Sequence, residues 1–96
     1  MLLVIDSGNT NTVFAVFDGD ALVGEWRGSS DAKRTADEYG VWLTQLMERD
    51  KLDLSKINSS IIATVVPEII SSLKLLCHKY FKTFPKFLDF LFSSIS

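Results

Sequence analysis

The sequence predicts an α/β fold with the element order β-β-β-α-β-α, a mixed sheet whose first three strands run antiparallel. Three observations predict it. The chain opens on an apolar run, two further β-patterned runs follow with turn residues between them, and the apolar period then changes from two to that of a helix.

Leu2 to Ile5 is a continuous β-favouring apolar run, as expected of a central strand buried on both faces. Thr12 to Phe17 is a second strand, and Asp18-Gly19 supplies the turn chemistry of a hairpin. A third strand spans Ala21 to Arg27, with Val23, Glu25 and Arg27 on one side and Leu22, Gly24 and Trp26 on the other. Trp26 reads as core rather than as a partner contact.

Thr35-Ala36-Asp37-Glu38 has the form of a capping box, in which Thr35 accepts a backbone N–H and Glu38 reaches back. Capping and the helix dipole also explain Asp37 and Glu38 better than an acid–base pair does. Tyr39, Leu43, Leu46 and Met47 follow at helical spacing. Gly40 costs this helix roughly 1 kcal/mol relative to alanine, which implies a close approach there.

Asp50 to Ser60 is a polar connection, and Ile61 to Val66 is a fourth strand stopped by Pro67, which has no ladder donor and suits the first turn of a helix. Ile69, Leu73, Leu76, Cys77 and Tyr80 then share one helical face, with Cys77 inside and His78 exposed. Residues 1–82 form one lobe. Residues 83–96 form an apolar tail, with a fifth strand open after Pro85 and no further helix to cover it.

The chain has 96 residues, 47% hydrophobic and 23% charged, which suits one globular domain or part of a larger protein. A net charge of −2 gives no reason to expect nucleic acid or an anionic membrane. One cysteine excludes an internal disulfide and fits a reducing compartment, and with one histidine it cannot build a tetrahedral zinc site without several carboxylates. The N-terminus has no basic leader region, and charged residues break the apolar C-terminal stretch. A cytoplasmic location is expected.

The run Asp6-Ser7-Gly8-Asn9-Thr10-Asn11-Thr12 carries the chemistry. It sets a carboxylate at a strand end, a glycine where the backbone must turn tightly, and a series of small polar side chains. Anions bind where backbone N–H groups converge without a side chain in the way. Asp6 has two readings, a Mg²⁺ position held directly or through water, or orientation of the attacking group; a bare carboxylate repels phosphate, which favours the metal. These residue types also make an ordinary turn, so local chemistry alone leaves both alternatives standing.

Asp6-x-Gly8-Asn9-Thr10 followed by Asn11-Thr12 and a hairpin resembles the first phosphate motif of the acetate/sugar kinase–Hsp70–actin superfamily. More narrowly, the chain resembles type III pantothenate kinases, through that motif, Asp18-Gly19, Trp26-Arg27, Arg34-Thr35-Ala36-Asp37-Glu38-Tyr39-Gly40 and Val65-Val66-Pro67, from Met1 to about Phe81.

The resemblance implies a ribonuclease-H-like (actin-like ATPase) fold and transfer of the ATP γ-phosphoryl group to pantothenate, the first step of coenzyme A synthesis. It implies Mg²⁺ at Asp6 and ATP contacts from Asp6, Ser7, Gly8, Asn9, Thr10, Asn11, Thr12 and Val13. It further implies a monovalent cation (K⁺ or NH₄⁺) and a homodimer.

Three departures stand out, one being that the tail after Phe81 (residues 83–96) loses the family pattern. Ser7 replaces the family's usual Val or Ile, which bears on packing beside the motif. The family's Gly-x-Asp-Arg segment, carrying the catalytic aspartate of a second lobe, does not occur in this chain. The expectation is an incomplete N-terminal lobe with half an active site. The alternatives are another phosphotransferase of the superfamily, a non-catalytic nucleotide-binding or dimerisation module, and, ranked low, a two-metal nuclease.

Overall fold

Asp18-Gly19 makes the turn its chemistry predicts: Gly19 takes φ +59°, a left-handed conformation that glycine adopts without strain. It joins β2 (Asn11–Asp18) to β3 (Ala21–Ser29), and β2 also pairs antiparallel with β1 (Leu2–Ser7), giving the expected meander. Then come α1 (Ala36–Arg49), β4 (Ser59–Thr64), α2 (Ile70–Phe81) and β5 (Lys86–Leu88). The computed structural model describes residues 1–88. Its sheet has the order β3-β2-β1-β4-β5, with β4 parallel to β1 and β5 parallel to β4. The fifth strand left open after Pro85 is therefore present, while the rest of the expected tail, from residue 89 on, lies outside the described residues.

Leu3, Ile5, Phe14, Val16 and Ile62 from the sheet meet Tyr39, Leu43 and Met47 of α1 and Leu73, Leu76 and Cys77 of α2 in one core. Each such large side chain, fully buried, contributes about 1.5–3 kcal/mol of transfer free energy. Both helices therefore cover the same face of the sheet. This corrects the expectation that β1 is buried on both sides: Leu2 and Val4 are only half-buried, and burial along β1 alternates. A central position in the sheet order does not put helices on both faces.

The helix starts as predicted. Thr35 Oγ1 accepts from the Glu38 N–H at 3.1 Å, and the Glu38 carboxylate accepts from the Thr35 N–H at 3.1 Å. Trp26 is core, with its Nε1–H donating to Asp50 at 2.8 Å.

Strand boundaries differ from expectation: β1 runs on to Ser7, β2 gains Asn11 and Asp18, and β3 and β4 differ more. β3 runs two residues further, to Ser29, because the hairpin register continues to pair it with Asn11. β4 is Ser59–Thr64 rather than 61–66, because its ladder follows β1 from Leu2 to Ser7. It ends before Pro67 is reached: the Thr64 hydroxyl accepts from the Val66 N–H at 2.9 Å and turns the chain. Pro67 then opens a 3₁₀ turn, Pro67–Ile69, that leads into α2.

Gly40 provides the close approach its cost implied: a Cβ there would overlap the Tyr80 ring of α2. Beside it, Asp37 of α1 accepts from Lys79 Nζ and from the Tyr80 hydroxyl, each at 2.7 Å, so a glycine contact and a polar clasp join the two helices.

Gly40→Ala should lower the melting temperature by an amount corresponding to about 1–2 kcal/mol, overlap outweighing the gain in helix propensity. In a Tyr80→Ala background the same change should be neutral or stabilising; equal losses in both backgrounds would show that Tyr80 is not the obstacle.

A second expectation concerns acid. Hydrogen bonds from Lys79 and then Tyr80 hold the Asp37 carboxyl below its usual range, and bonds from Arg49 and then Trp26 do the same for Asp50. Groups with depressed folded-state values stabilise the fold above the unfolded value, near 3.9, and lose that contribution as pH falls through the folded value. The melting temperature should therefore fall below about pH 4, and Asp37→Asn with Asp50→Asn should flatten that fall. An unchanged slope in the double variant would refute the assignment.

Candidate phosphate-binding site

Strand alternation decides where each residue of the opening motif goes. Leu3, Ile5 and Ser7 face the helices and are buried, so Asp6 projects from the open face and is exposed. Among the described residues the Asp6 carboxylate joins no ion pair. In the ladder it lies between Val13 of β2 and Ala63 of β4. Because β1 and β4 are parallel, their C-terminal ends lie side by side, and the 8–11 turn follows that edge. Ligands of open α/β sheets bind outside such strand ends.

The Gly8 N–H donates to the Asn11 carbonyl at 2.9 Å and closes the turn. Gly8 itself differs from expectation. Its φ lies outside the left-handed region, and an added Cβ would meet only the Asn11 carbonyl oxygen at 3.6 Å, an ordinary contact. Glycine is not forced here by backbone conformation; it leaves the surface of the turn bare.

Beneath the turn, three hydroxyls form a chain. Ser7 Oγ lies 2.8 Å from Thr12 Oγ1, which lies 2.8 Å from Ser30 Oγ, and Ser30 Oγ donates to the Gly8 carbonyl at 2.7 Å. Each hydroxyl has one proton. The proton of Ser30 goes to Gly8, so Thr12 must donate to Ser30 and Ser7 to Thr12. All three protons are used inside the fold, and Ser7 and Thr12 are buried. Ser7 therefore hydrogen-bonds where an apolar residue would only pack.

The Asn9 and Thr10 N–H groups make no backbone hydrogen bond among the described residues, and they belong to exposed residues, next to the exposed Asn11. Asn11 Nδ2 lies 3.4 Å from Thr10 Oγ1. Val13 sits opposite Asp6 in the ladder and presents an apolar wall. The arrangement offers neutral donors at a bare turn, with one carboxylate at its edge.

Sequence reasoning missed Ser30. Its partners Thr12 and Gly8 lie 18 and 22 residues earlier, beyond any local motif. Counting the hairpin outward from Asp18-Gly19 sets Gly28 opposite Asn11; a bulge between Val16 and Phe17 shifts the register by one residue, puts Ser29 there and brings Ser30 to the turn. Also missed was a cleft of about 370 Å³ between β3 and α1, lined by Gly28, Arg34, Glu38, Tyr39 and Trp42. There Arg34 donates to the Ser29 carbonyl at 2.9 Å and stacks 5.3 Å over the Tyr39 ring, and Tyr39 Oη is buried without a hydrogen-bond partner among the described residues.

A family model for type III pantothenate kinase matches residues 2–91. The chain belongs to the type III pantothenate kinase family. It is 61% identical over 85 residues to a type III pantothenate kinase of Paramagnetospirillum magneticum, covering 88% of this chain and 33% of that protein. The enzyme of the same name from Rhodospirillum rubrum is 60% identical over 85 residues, with the same shares. That of Paracoccus denitrificans is 53% identical over 88% of this chain and 32% of its own length. The chain spans about a third of the length of these curated relatives. The match to the type III pantothenate kinase family includes the whole 6–12 motif, the hairpin, Ser30 and the capped start of α1.

Among the described residues, no group of three or more His, Cys, Asp or Glu side chains gathers to hold a metal ion. A lone exposed carboxylate nevertheless suits Mg²⁺, which keeps several waters and takes one or two carboxylates plus substrate phosphates. Asp6 fits that pattern. No helix of the structure is long and apolar enough to cross a membrane.

Proposed function

We propose that this chain supplies the ATP-phosphate grip of a kinase that transfers the γ-phosphoryl group of ATP to the hydroxyl of pantothenate. The observation that carries the reading is the 8–11 turn, with its Asn9 and Thr10 N–H groups, unpaired among the described residues, beside the exposed Asp6 carboxylate. Phosphoryl transfer depends mostly on positioning and charge neutralisation. Here the turn would hold phosphate oxygens and Asp6 would hold hydrated Mg²⁺, which supplies neutralisation of the developing charge. Ser7 and Thr12 would support the turn from within, and Val13 would line its edge.

The strand order supports a ribonuclease-H-like lobe over residues 1–82, with β5 added at its edge. The reading includes a monovalent cation, a homodimer and a cytoplasmic setting, as the family resemblance implies, and assigns no residue of this chain to the cation or the subunit contact. Since Gly-x-Asp-Arg does not occur in the chain, the 96 residues by themselves are read as binding nucleotide without turning it over.

Calorimetric titration with Mg-ATP should give measurable binding in the millimolar range or tighter, and the chain alone should phosphorylate no pantothenate. Asp6→Asn should weaken Mg-ATP binding several-fold while leaving the affinity for metal-free ATP unchanged or raised, since the carboxylate that repels bare phosphate is gone. No heat of binding at millimolar Mg-ATP would refute the reading.

A further inference from the structure

We propose that Ser30 is the positioning residue of the phosphate turn. It fixes the direction in which the Asn9 N–H, one of the two N–H groups of the proposed grip, points, rather than merely tying down a loop. The inference rests on reading Asp6 to Thr12 as the ATP-phosphate site.

Ser30 reaches the turn twice. Its hydroxyl donates to the Gly8 carbonyl at 2.7 Å, and its own N–H donates to the Thr10 carbonyl at 2.9 Å. A trans peptide is planar, with its C=O and N–H pointing in opposite directions, and there is no cis peptide bond among the described residues. Holding the Gly8 carbonyl inward therefore turns the Asn9 N–H outward, and holding the Thr10 carbonyl does the same for the Asn11 N–H. Both peptides are oriented from beneath by a residue that need never touch the ligand.

The hydroxyl chain makes the first of these bonds one-directional. Ser30 accepts from Thr12, so its single proton goes to Gly8. The backbone N–H bond to Thr10 belongs to any residue at position 30 except proline. The hydroxyl bond to Gly8 belongs to serine or threonine. Without it, the Gly8–Asn9 peptide can rotate and present a carbonyl oxygen, which repels phosphate, where the N–H should be. The Thr12 proton would also lose its acceptor.

The test compares Ser30→Ala, Ser30→Thr and Ser60→Ala in the 96-residue chain. Ser60 shares a buried hydroxyl hydrogen bond of 2.7 Å with Thr83 and has no contact with the turn, so it controls for lost stability. Ser30→Ala should weaken Mg-ATP binding about tenfold, the effect of one hydrogen bond of ordinary strength. Ser30→Thr should restore most of that affinity. Ser60→Ala should lower the melting temperature and leave affinity within about twofold, a margin well below the effect of one hydrogen bond.

Affinity within twofold for Ser30→Ala, or affinity losses that track melting temperature equally in the two alanine variants, would overturn the proposal. If the unsubstituted chain binds no Mg-ATP, the proposed function fails, and the ligand-free Asn9 amide resonance then decides this inference. A shifted resonance in Ser30→Ala relative to the unsubstituted chain supports a peptide held by Ser30, and an unshifted one overturns it. Should Ser30→Ala fail to fold, Ser30→Cys, similar in size with only a weak donor, takes its place with the same expected loss and the same refuting result.

Discussion

Burial of Leu3 and Ile5 beneath two helices fixes the parity of β1, and everything at the end of that strand depends on this parity. With alternate residues directed inward, Asp6 has to emerge on the open face and Ser7 has to enter the covered one. A shift of one residue would bury the carboxylate and expose the hydroxyl. That register is held from both sides, by six paired residues of β2 and six of β4. The chemical asymmetry of the site, a carboxylate outside and a hydroxyl chain inside, thus follows from the hydrophobic core.

The inward half is where the fold meets the proposed function. Buried polar groups need partners, and Ser7, Thr12 and Ser30 supply them to one another in a sequence that ends on the Gly8 carbonyl. Satisfying those hydroxyls and orienting the turn are one arrangement. The turn reaches the edge of the sheet with its Gly8, Thr10 and Asn11 carbonyls held and, among the described residues, the Asn9 and Thr10 N–H groups left over. This is the kind of concavity that binds anions without any positive side chain.

Much of this was legible in the sequence because it is local. The meander, the Thr35 cap, the core place of Trp26, the close approach at Gly40 and the inward and outward places of Cys77 and His78 each follow from a few neighbouring residues. What was not legible depends on distance in the chain. Whether β1 was covered on one face or two depended on where α1 and α2 would cross. The end of β4 depended on a Thr64 side chain competing with the ladder. The motif itself could be read as a phosphate turn, but not which of its members face outward, because the residue that decides this, Ser30, arrives only after a complete hairpin.

The central claim is that the turn grips phosphate through its outward backbone N–H groups while its buried hydroxyls stay engaged within the fold. A backbone-amide chemical-shift map of the chain titrated with Mg-ATP tests it most directly. The largest changes should fall on the amides of residues 8–11, with those of Arg34, Glu38 and Trp42 in the neighbouring cleft little moved. Large changes in that cleft, with the 8–11 amides still, would contradict the claim and put the ligand between β3 and α1 instead.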